Sequence, residues 1–304
     1  MTAVFELNDL CFNYGEGLPA LAGVNLRIDQ GERVALLGAN GSGKSTLLRI
    51  LGGLLQPTGG EISAFGAPLT ADLLRDEPRA QAFRRRVGIV IQNAAAQLFS
   101  PTVRDEIAFG PLHLGLAAGE AQQRVDDMLC LLGLEALASR PPYKLSGGEQ
   151  KKVALAAVLA INPDVLLFDE PMGGLDPRTR QWLVEMLASL HVAGKTLVVA
   201  THELAELDRL ADRAVILGED HRPAAIGPIS TLLADRDLLL DVNLIHEHTH
   251  VHGDVVHSHP HGHPPGHERG PEHDRELPHE HAHEGHGHEH EHPHHSVKPD
   301  PIAG

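Results

Sequence analysis

The sequence predicts an α/β fold with a doubly wound, mostly parallel sheet, followed by a His-rich tail that is disordered. Three observations support this prediction: a Gly-rich loop after a strand-like stretch, a second apolar stretch that ends in two acids, and a C-terminal segment rich in histidine. The chain has 304 residues, 42% of them hydrophobic, so it can bury a substantial core. We assign residues 1–240 to the folded domain and residues 241–304 to the tail.

The first element is a phosphate-binding loop that lies between an apolar stretch at 34–37 and a helix that begins near Lys44. Glycine allows the sharp turns that aim backbone N–H groups at a phosphate beside a helix N-terminus. We expect Lys44 to reach the β- and γ-phosphates of a nucleotide and Ser45 to bind the Mg²⁺ between them. A Gly-rich turn without a ligand is the alternative. The candidate binding residues of this loop are Gly38, Asn40, Gly41, Ser42, Gly43, Lys44, Ser45 and Thr46.

The second element is an apolar stretch at 165–168 that ends in Asp169 and Glu170. A continuous apolar run is typical of a buried parallel strand, which delivers its last residues to the carboxyl edge of the sheet, where ligands bind. Asp169 then suits an outer position at the Mg²⁺ ion, and Glu170 is placed to act on water as a general base. A solvated strand end is the alternative for such an acidic pair.

These motifs, together with the run LSGGEQ at 145–150, resemble the ATP-binding cassette ATPases over about residues 3–235. The resemblance implies ATP hydrolysis by a phosphate-loop fold that carries a helical subdomain, about residues 94–160, and a small antiparallel β subdomain. It also implies a homodimer, or a pair with a second cassette, in which Ser146, Gly147 and Gly148 face the γ-phosphate held by the opposite subunit. Backbone donors at the start of an apolar helix suit that role, and a plain N-cap is the alternative.

The resemblance assigns roles to four further residues. It implies that Tyr14 stacks on adenine, although an aromatic in an early strand is also ordinary core material. Gln92, after a strand at 87–91, corresponds to the glutamine that senses Mg²⁺ and the membrane partner. Asp176 lies in the loop that crosses the dimer interface, and His202, after a strand at 196–200, is expected to hold the γ-phosphate and to orient the attacking water.

The sequence departs from the family pattern at two places. Residues 172–174, Met-Gly-Gly, replace a small and polar stretch, and Lys151-Lys152 follow the signature where arginine is common. Neither departure removes a reacting group.

Composition excludes several other classes. The net charge of −16 and the absence of a basic stripe argue against nucleic acid as a partner. The longest apolar run, residues 153–161, has nine residues, whereas a membrane span needs about 20. Two distant cysteines and an N-terminus without a signal-peptide pattern favour a reducing compartment. We therefore expect a peripheral protein at the cytoplasmic face of the cell membrane.

The segment at 92–116 resembles the energy-coupling-factor importers, and within them the cobalt and nickel branch. In that family the segment lies beneath helices of an integral membrane subunit. The alternative is a helical subdomain with its own core, formed by Leu98, Val103, Ile107 and Phe109. Vitamin importers share the pattern, so it leaves the cargo open.

The tail holds 19 of the 23 histidines between residues 246 and 295. Alternation of the type His-x-His puts imidazoles on one side of an extended segment, and imidazole binds Ni, Cu, Zn and Co. An acidic, solubilising tail is the alternative. The candidate ligands are His246, His248, His250, His252, His257, His259, His261, His263, His286, His288, His290 and His292.

Together these features predict the ATPase subunit of a nickel or cobalt importer, bound to integral membrane subunits. Two alternatives remain open: the ATPase of a zinc or vitamin importer, and a metal-storage or sensing protein that uses the cassette as a scaffold. The sequence leaves open whether the tail delivers, buffers or senses metal.

Overall fold

The computed structural model describes residues 2–15, 17–252 and 255–262, and it describes side chains as far as residue 245. The strands are β1 (Ala3–Tyr14), β2 (Leu18–Asp29), β3 (Arg33–Leu37), β4 (Gly59–Ala64), β5 (Ala67–Pro68), β6 (Val87–Val90), β7 (Val165–Asp169), β8 (Thr196–Thr201), β9 (Arg213–Leu217), β10 (Pro223–Pro228), β11 (Ile245–His252) and β12 (Val255–Gly262). The helices are α1 (Lys44–Leu51), α2 (Ala71–Arg75), α3 (Glu77–Arg84), α4 (Ala94–Gln97), α5 (Val103–His113), α6 (Ala118–Leu132), α7 (Gly147–Leu159), α8 (Pro177–Val192), α9 (Leu207–Leu210), α10 (Ile229–Ala234) and α11 (Arg236–Asp241).

The centre of the fold is a six-stranded sheet with the strand order β10-β9-β3-β8-β7-β6. Neighbouring strands from β9 to β6 run parallel, and β10 pairs antiparallel with β9 at one edge. Every residue of β7 and β8 is buried, as expected for strands that are covered on both faces. The parallel arrangement brings the carboxyl ends of β3, β7 and β8 to the same edge of the sheet.

A second sheet is antiparallel and has the strand order β2-β1-β4-β5. Along β1 the residues Phe5, Leu7 and Leu10 are buried, and they belong to the same core as Leu47 and Leu51 of α1. This shared core attaches the antiparallel sheet to the phosphate-loop domain. The predicted cassette fold with a small antiparallel β subdomain is thereby confirmed.

Helices α4 to α7 form the predicted helical subdomain, and they enclose a core of their own. Val103 and Ile107 of α5 pack there with Val125 and Leu129 of α6 and with Val153 of α7. Within the described ranges, no helix combines the length and the apolar character that a bilayer span needs.

Phe109 lies outside this core, although one interpretation of the sequence counts it among the core residues. It follows Ile107 by two positions, which is about 200° around a helix, so it lies on the opposite side of α5. Phe109 is 47% exposed, and its ring packs edge-on against Phe99 and stacks on His113. Together with Leu112, which is 49% exposed, these side chains form a surface that we call the aromatic patch: Phe99, Phe109, Leu112 and His113.

The apolar core continues to Leu244, which packs with Leu239 and Val242 against the far side of the central sheet. The next segment forms an antiparallel hairpin of β11 and β12, inside the part that the sequence predicts to be disordered. Cross-strand backbone pairing runs from Ile245 opposite Gly262 to His252 opposite Val255. Residues 263–304 lie outside the described residues, and with them His263, His286, His288, His290 and His292.

Candidate active site

The Gly-rich loop joins β3 to α1, and its backbone excludes side chains at two positions. Gly43 has a φ of 109°, and a Cβ at this position would lie 2.2 Å from the carbonyl oxygen of Ala20. A Cβ at Gly38 would lie 2.6 Å from the carbonyl oxygen of Leu217. The hydroxyl of Ser42 is buried and has no hydrogen-bond partner among the described residues. An unpaired donor in a loop that is closed to side chains fits a phosphate ligand.

Lys44, the first residue of α1, is 5% exposed. Its Nζ donates hydrogen bonds to the carbonyl oxygens of Gly38 at 2.8 Å and Ala39 at 3.0 Å, and it lies 3.9 Å from Oε1 of Glu170. Burial lowers the pKa of Lys44, and the negative charges of Glu170 and Asp169 oppose this change. The amine is thereby held where the loop meets the end of β7.

Ser45 and Asp169 make a second contact between the loop and β7. The Ser45 hydroxyl donates to Oδ1 of Asp169 at 2.8 Å. Burial raises the pKa of Asp169, and the hydrogen bond from Ser45 opposes the rise. Gln92 lines the same cleft as Ser45. Hydroxyl, carboxylate and amide oxygens are ligands that Mg²⁺ accepts, so this set of donors fits the ion.

Glu170 follows β7 directly and contacts the end of β8 through both carboxylate oxygens. Its Oε1 lies 2.9 Å from Nδ1 of His202, and its Oε2 accepts a hydrogen bond from the Thr201 hydroxyl at 3.3 Å. The contact with Glu170 is the main cause of a raised pKa of His202. The backbone of Glu170 has a φ of 46°, a conformation that costs a non-glycine residue about 1–3 kcal/mol. Such strain is typical of functional sites.

A cleft of about 560 Å³ opens at this edge of the sheet. Its volume lies within the range of small-molecule sites, roughly 300–1,000 Å³. Tyr14 stands at this cleft with its ring 40% exposed, packed edge-on against Phe12, and its hydroxyl lies 3.1 Å from that of Thr46. The ring is therefore not core material. The cleft is lined by Tyr14, Leu18, Pro19, Ala20, Asn40, Gly41, Gly43, Lys44, Ser45, Thr46, Gln92 and Glu170.

The signature residues lie outside this lining. Ser146 begins α7 with a capping box, in which Oε2 of Glu149 accepts from the backbone N–H and the hydroxyl of Ser146 at 2.8 and 2.7 Å. Ser146 and Gly147 are exposed, and Gly148 is half-buried. Asp176 also acts as an N-cap, here of α8. The cleft of one chain is thus built without these four residues.

Two residues contact the site although the sequence assigned them no role. Thr201 donates to Glu170, and its position at the end of the strand before His202 was a signal that could have identified it. Lys151 donates to the carbonyl oxygen of Pro171, next to Glu170, across 20 positions of sequence. No sequence spacing predicts the contact between Lys151 and Pro171.

Comparisons with known proteins agree with this geometry. Residues 21–173 match the family model described as "ABC transporter". The nickel import ATP-binding protein NikO of Rhodobacter capsulatus is 49% identical over 248 residues, which cover 81% of this chain and 97% of that protein. The energy-coupling factor transporter ATP-binding protein EcfA of Methanothermobacter thermautotrophicus is 40% identical over 241 residues, 79% of this chain and 76% of that protein. A solved structure of cbiO1 from Clostridium perfringens, titled as part of the ABC transporter complex cbiONQ, has a TM-score of 0.68 at 33% identity and covers 80% of this chain and 96% of that chain.

Proposed function

Because this chain belongs to the ABC transporter family of ATP-binding proteins, we propose that it is the ATPase subunit of an energy-coupling-factor importer for nickel or cobalt ions. One observation carries the enzymatic part of this proposal. Oε1 of Glu170 lies 3.9 Å from the Lys44 amine and 2.9 Å from the His202 imidazole. Groups from the phosphate loop, β7 and β8 therefore meet where the terminal phosphate of ATP and a water molecule would react.

Three residues at this edge of the sheet carry the hydrolysis reaction in this proposal. Glu170 accepts a proton from the attacking water as the general base. Lys44 offsets the negative charge that develops on the β- and γ-phosphate oxygens. His202, whose Nδ1 lies 2.9 Å from Oε1 of Glu170, holds the γ-phosphate and orients the water.

Further residues at this edge of the sheet bind the substrate in this proposal. Tyr14 offers its exposed ring to the adenine base, and the backbone of the Gly-rich loop offers N–H donors to the phosphates. Ser45, Gln92 and Asp169 would hold Mg²⁺, which would withdraw negative charge from the phosphate oxygens. The contact between Ser45 and Asp169 supports this assignment, because it already brings two of these oxygen donors together.

Replacement of Glu170 by glutamine tests the enzymatic part. The amide keeps the shape of the side chain but accepts no proton, so turnover should fall by about 10²–10⁴ while ATP binding persists. Glu185→Gln is the matched control, because Glu185 lies on the exposed side of α8, where its carboxylate accepts a hydrogen bond from Gln181 at 2.6 Å. Wild-type hydrolysis by Glu170→Gln rejects Glu170 as the base.

Two copies of a cassette form the complete ATPase in this proposal. The cleft of one chain is lined without Ser146, Gly147, Gly148 and Asp176, and the exposed signature is free to cover the phosphates held by a second cassette. A two-fold arrangement gives each cleft the signature of its partner. ATP should therefore convert the Glu170→Gln variant from monomer to dimer in size-exclusion chromatography, and Ser146→Arg should block that conversion.

The aromatic patch is the proposed contact with the integral membrane subunit. Phe99 and Phe109 are 67% and 47% exposed, which is a large apolar area for a helical subdomain that already has its own core. The patch lies in the segment that resembles the energy-coupling-factor importers. A location at the inner face of the membrane follows from this docking.

The name of the nickel import relative and the His-rich tail support the proposed cargo. Uptake of labelled Ni²⁺ and Co²⁺ by cells that contain the whole transporter separates the alternatives. Loss of uptake with Lys44→Ala supports the importer, whereas unchanged uptake supports a storage or sensing protein that uses the cassette as a scaffold. Uptake of zinc or a vitamin, instead of nickel and cobalt, would indicate that the chain is the ATPase of a zinc or vitamin importer.

Metal binding by the tail is also part of the proposal, and the register of the β11–β12 hairpin supports it. Residues in directly opposite register positions of an antiparallel pair lie on the same face of the hairpin. Two histidines in such positions can bind one ion, and imidazole suits Ni²⁺ and Co²⁺. The cross-strand histidine pairs are His246 with His261, His248 with His259, and His250 with His257.

An exchange of neighbouring residues tests these pairs at constant composition. His248→Thr combined with Thr249→His moves one histidine to the other face and should weaken Ni²⁺ binding by the full chain. Thr249 lies opposite Ser258, so adding Ser258→His and His259→Ser restores a cross-strand pair and should restore binding. Equal Ni²⁺ affinity of all three chains in calorimetry contradicts the pairing, and equal affinity after deletion of residues 241–304 contradicts metal binding by the tail.

A further inference from the structure

Lys151 joins the signature helix to the loop that follows Glu170. It is the fifth residue of α7, and its Nζ donates hydrogen bonds to the carbonyl oxygens of Pro171 at 2.9 Å and Gly173 at 2.5 Å. Among the hydrogen bonds of the described residues, those of Lys151 are the ones that connect α7 with this loop. Pro171 follows Glu170 in the sequence, and the Gly173 N–H donates to the carbonyl oxygen of Glu170 at 3.3 Å.

The loop between Glu170 and α8 is therefore held at two places. Lys151 holds its first half, and Asp176 fixes its other end as the N-cap of α8. In addition, Arg180 of α8 bonds to Glu203 at 2.6 Å, directly after His202. A shift of α7 would consequently be transmitted through Lys151 to the residues next to Glu170.

Simple stabilisation of the fold does not require a lysine at this position. Leu155 and Val158 of α7 already pack against Phe168 of β7 in the core beneath the loop. Lys151 is half-buried, and its pKa is lowered because burial disfavours the charged amine. An apolar side chain of similar length would avoid the free-energy cost of burying a charged amine. The two hydrogen bonds therefore indicate that the lysine serves to connect α7 with the loop after Glu170.

We propose that Lys151 is a positioning residue that couples the two ATP sites of the dimer through one chain. This inference rests on the proposed function, in which Ser146 contacts the ATP of the partner while Glu170 acts on the ATP of its own chain. Lys151 links these two groups: it lies about one and a half helical turns from Ser146, and it is hydrogen-bonded to Pro171, the residue after Glu170. When α7 contacts the ATP of the partner chain, Lys151 thereby sets the orientation of Glu170 at the ATP of its own chain.

Three variants of the full chain test the coupling. Lys151→Met removes the donor and keeps the length of the side chain, Lys151→Arg keeps a donor, and Lys152→Met is the matched control. Lys152 is the next residue, and its amine lies over the ring of Trp182 at 4.7 Å. The measurements are kcat, KM for ATP and the Hill coefficient of ATP hydrolysis.

We expect Lys151→Met to lower kcat by about 10- to 100-fold, because a misplaced catalytic group commonly has an effect of that size. KM should change less than about twofold, and the Hill coefficient should fall from about 2 for two coupled sites to about 1. Lys151→Arg should restore most of kcat, and Lys152→Met should behave as the wild type. A wild-type Hill coefficient of 1, unchanged kinetics in Lys151→Met, or an equal defect in Lys152→Met overturns the proposal.

Two controls separate this inference from the function on which it rests. If Glu170→Gln forms no ATP-dependent dimer, the proposed function fails first. If it forms that dimer, and Lys151→Met in the same background also does, then the kinetics of Lys151→Met decide the coupling alone. Lys151→Gln, which keeps one amide donor, replaces Lys151→Met if circular dichroism shows that the methionine variant is unfolded; it should give an intermediate kcat, and wild-type kinetics in it count against the proposal.

Discussion

Replacement of Glu106 by alanine should destabilise the helical subdomain and the aromatic patch together. Glu106 lies in the first half of α5 and is 4% exposed. Its Oε2 accepts the backbone N–H groups of Phe99 at 2.9 Å and Ser100 at 2.7 Å. These two bonds hold the segment that presents the Phe99 ring. Alanine leaves both donors without their partner.

The expected loss follows from the two bonds. A hydrogen bond to a charged group contributes about 1.5–3 kcal/mol, and partial access of water to this segment favours the lower value, so Glu106→Ala should cost about 3 kcal/mol. A domain of this size loses about 2–4 °C in Tm for each kcal/mol, which predicts a decrease of about 6–12 °C. Glu106→Gln keeps an oxygen acceptor without the charge, and it should lose about half as much.

Thermal unfolding of purified full-length chains measures these shifts, and metal uptake by the assembled transporter measures the effect on docking. Uptake should fall further than ATP hydrolysis by the isolated chain, because the nucleotide cleft is formed by other elements. A decrease in Tm below about 2 °C for Glu106→Ala, or equal decreases for alanine and glutamine, would refute the assigned hydrogen bonds.

Two further predictions concern the cleft. Gly43→Ala should lower the free energy of unfolding by about 2–5 kcal/mol, because its Cβ would overlap the Ala20 carbonyl, whereas Gly133→Ala, at a φ of 64° with nothing within 4 Å, should cost about 1–2 kcal/mol in the same urea titration. The pKa of His202 is raised by Glu170, so the stabilisation from its charged form is complete below pH about 6.5 and is lost as pH rises through the raised pKa. NMR titration of Glu170→Gln should show a lower pKa of His202, and an unchanged value would contradict the contact.

The sequence predicts that Lys44, Glu170 and His202 lie close together, because parallel strands bring their carboxyl ends to one edge of the sheet. The motifs that contain Lys44, Glu170 and His202 each follow an apolar strand, and the topology rule then places them together. The sequence does not predict the exposure of Phe109 or the hydrogen bonds of Lys151. They depend on how α5 and α7 are rotated and packed against distant segments, and short sequence patterns do not encode those angles.

The capping box at Ser146 has a consequence for how fast the proposed dimer can come apart. The Ser146 hydroxyl is already bonded to Glu149, so contact with a nucleotide phosphate exchanges one acceptor for another instead of satisfying an idle donor. Such an exchange contributes little net free energy to ATP binding. The Glu149 carboxylate, three residues away, can accept the hydroxyl again when ATP leaves. In the proposed dimer, the contact of Ser146 with ATP would therefore add little to the binding free energy, which suits a protein that has to release its partner after each hydrolysis cycle.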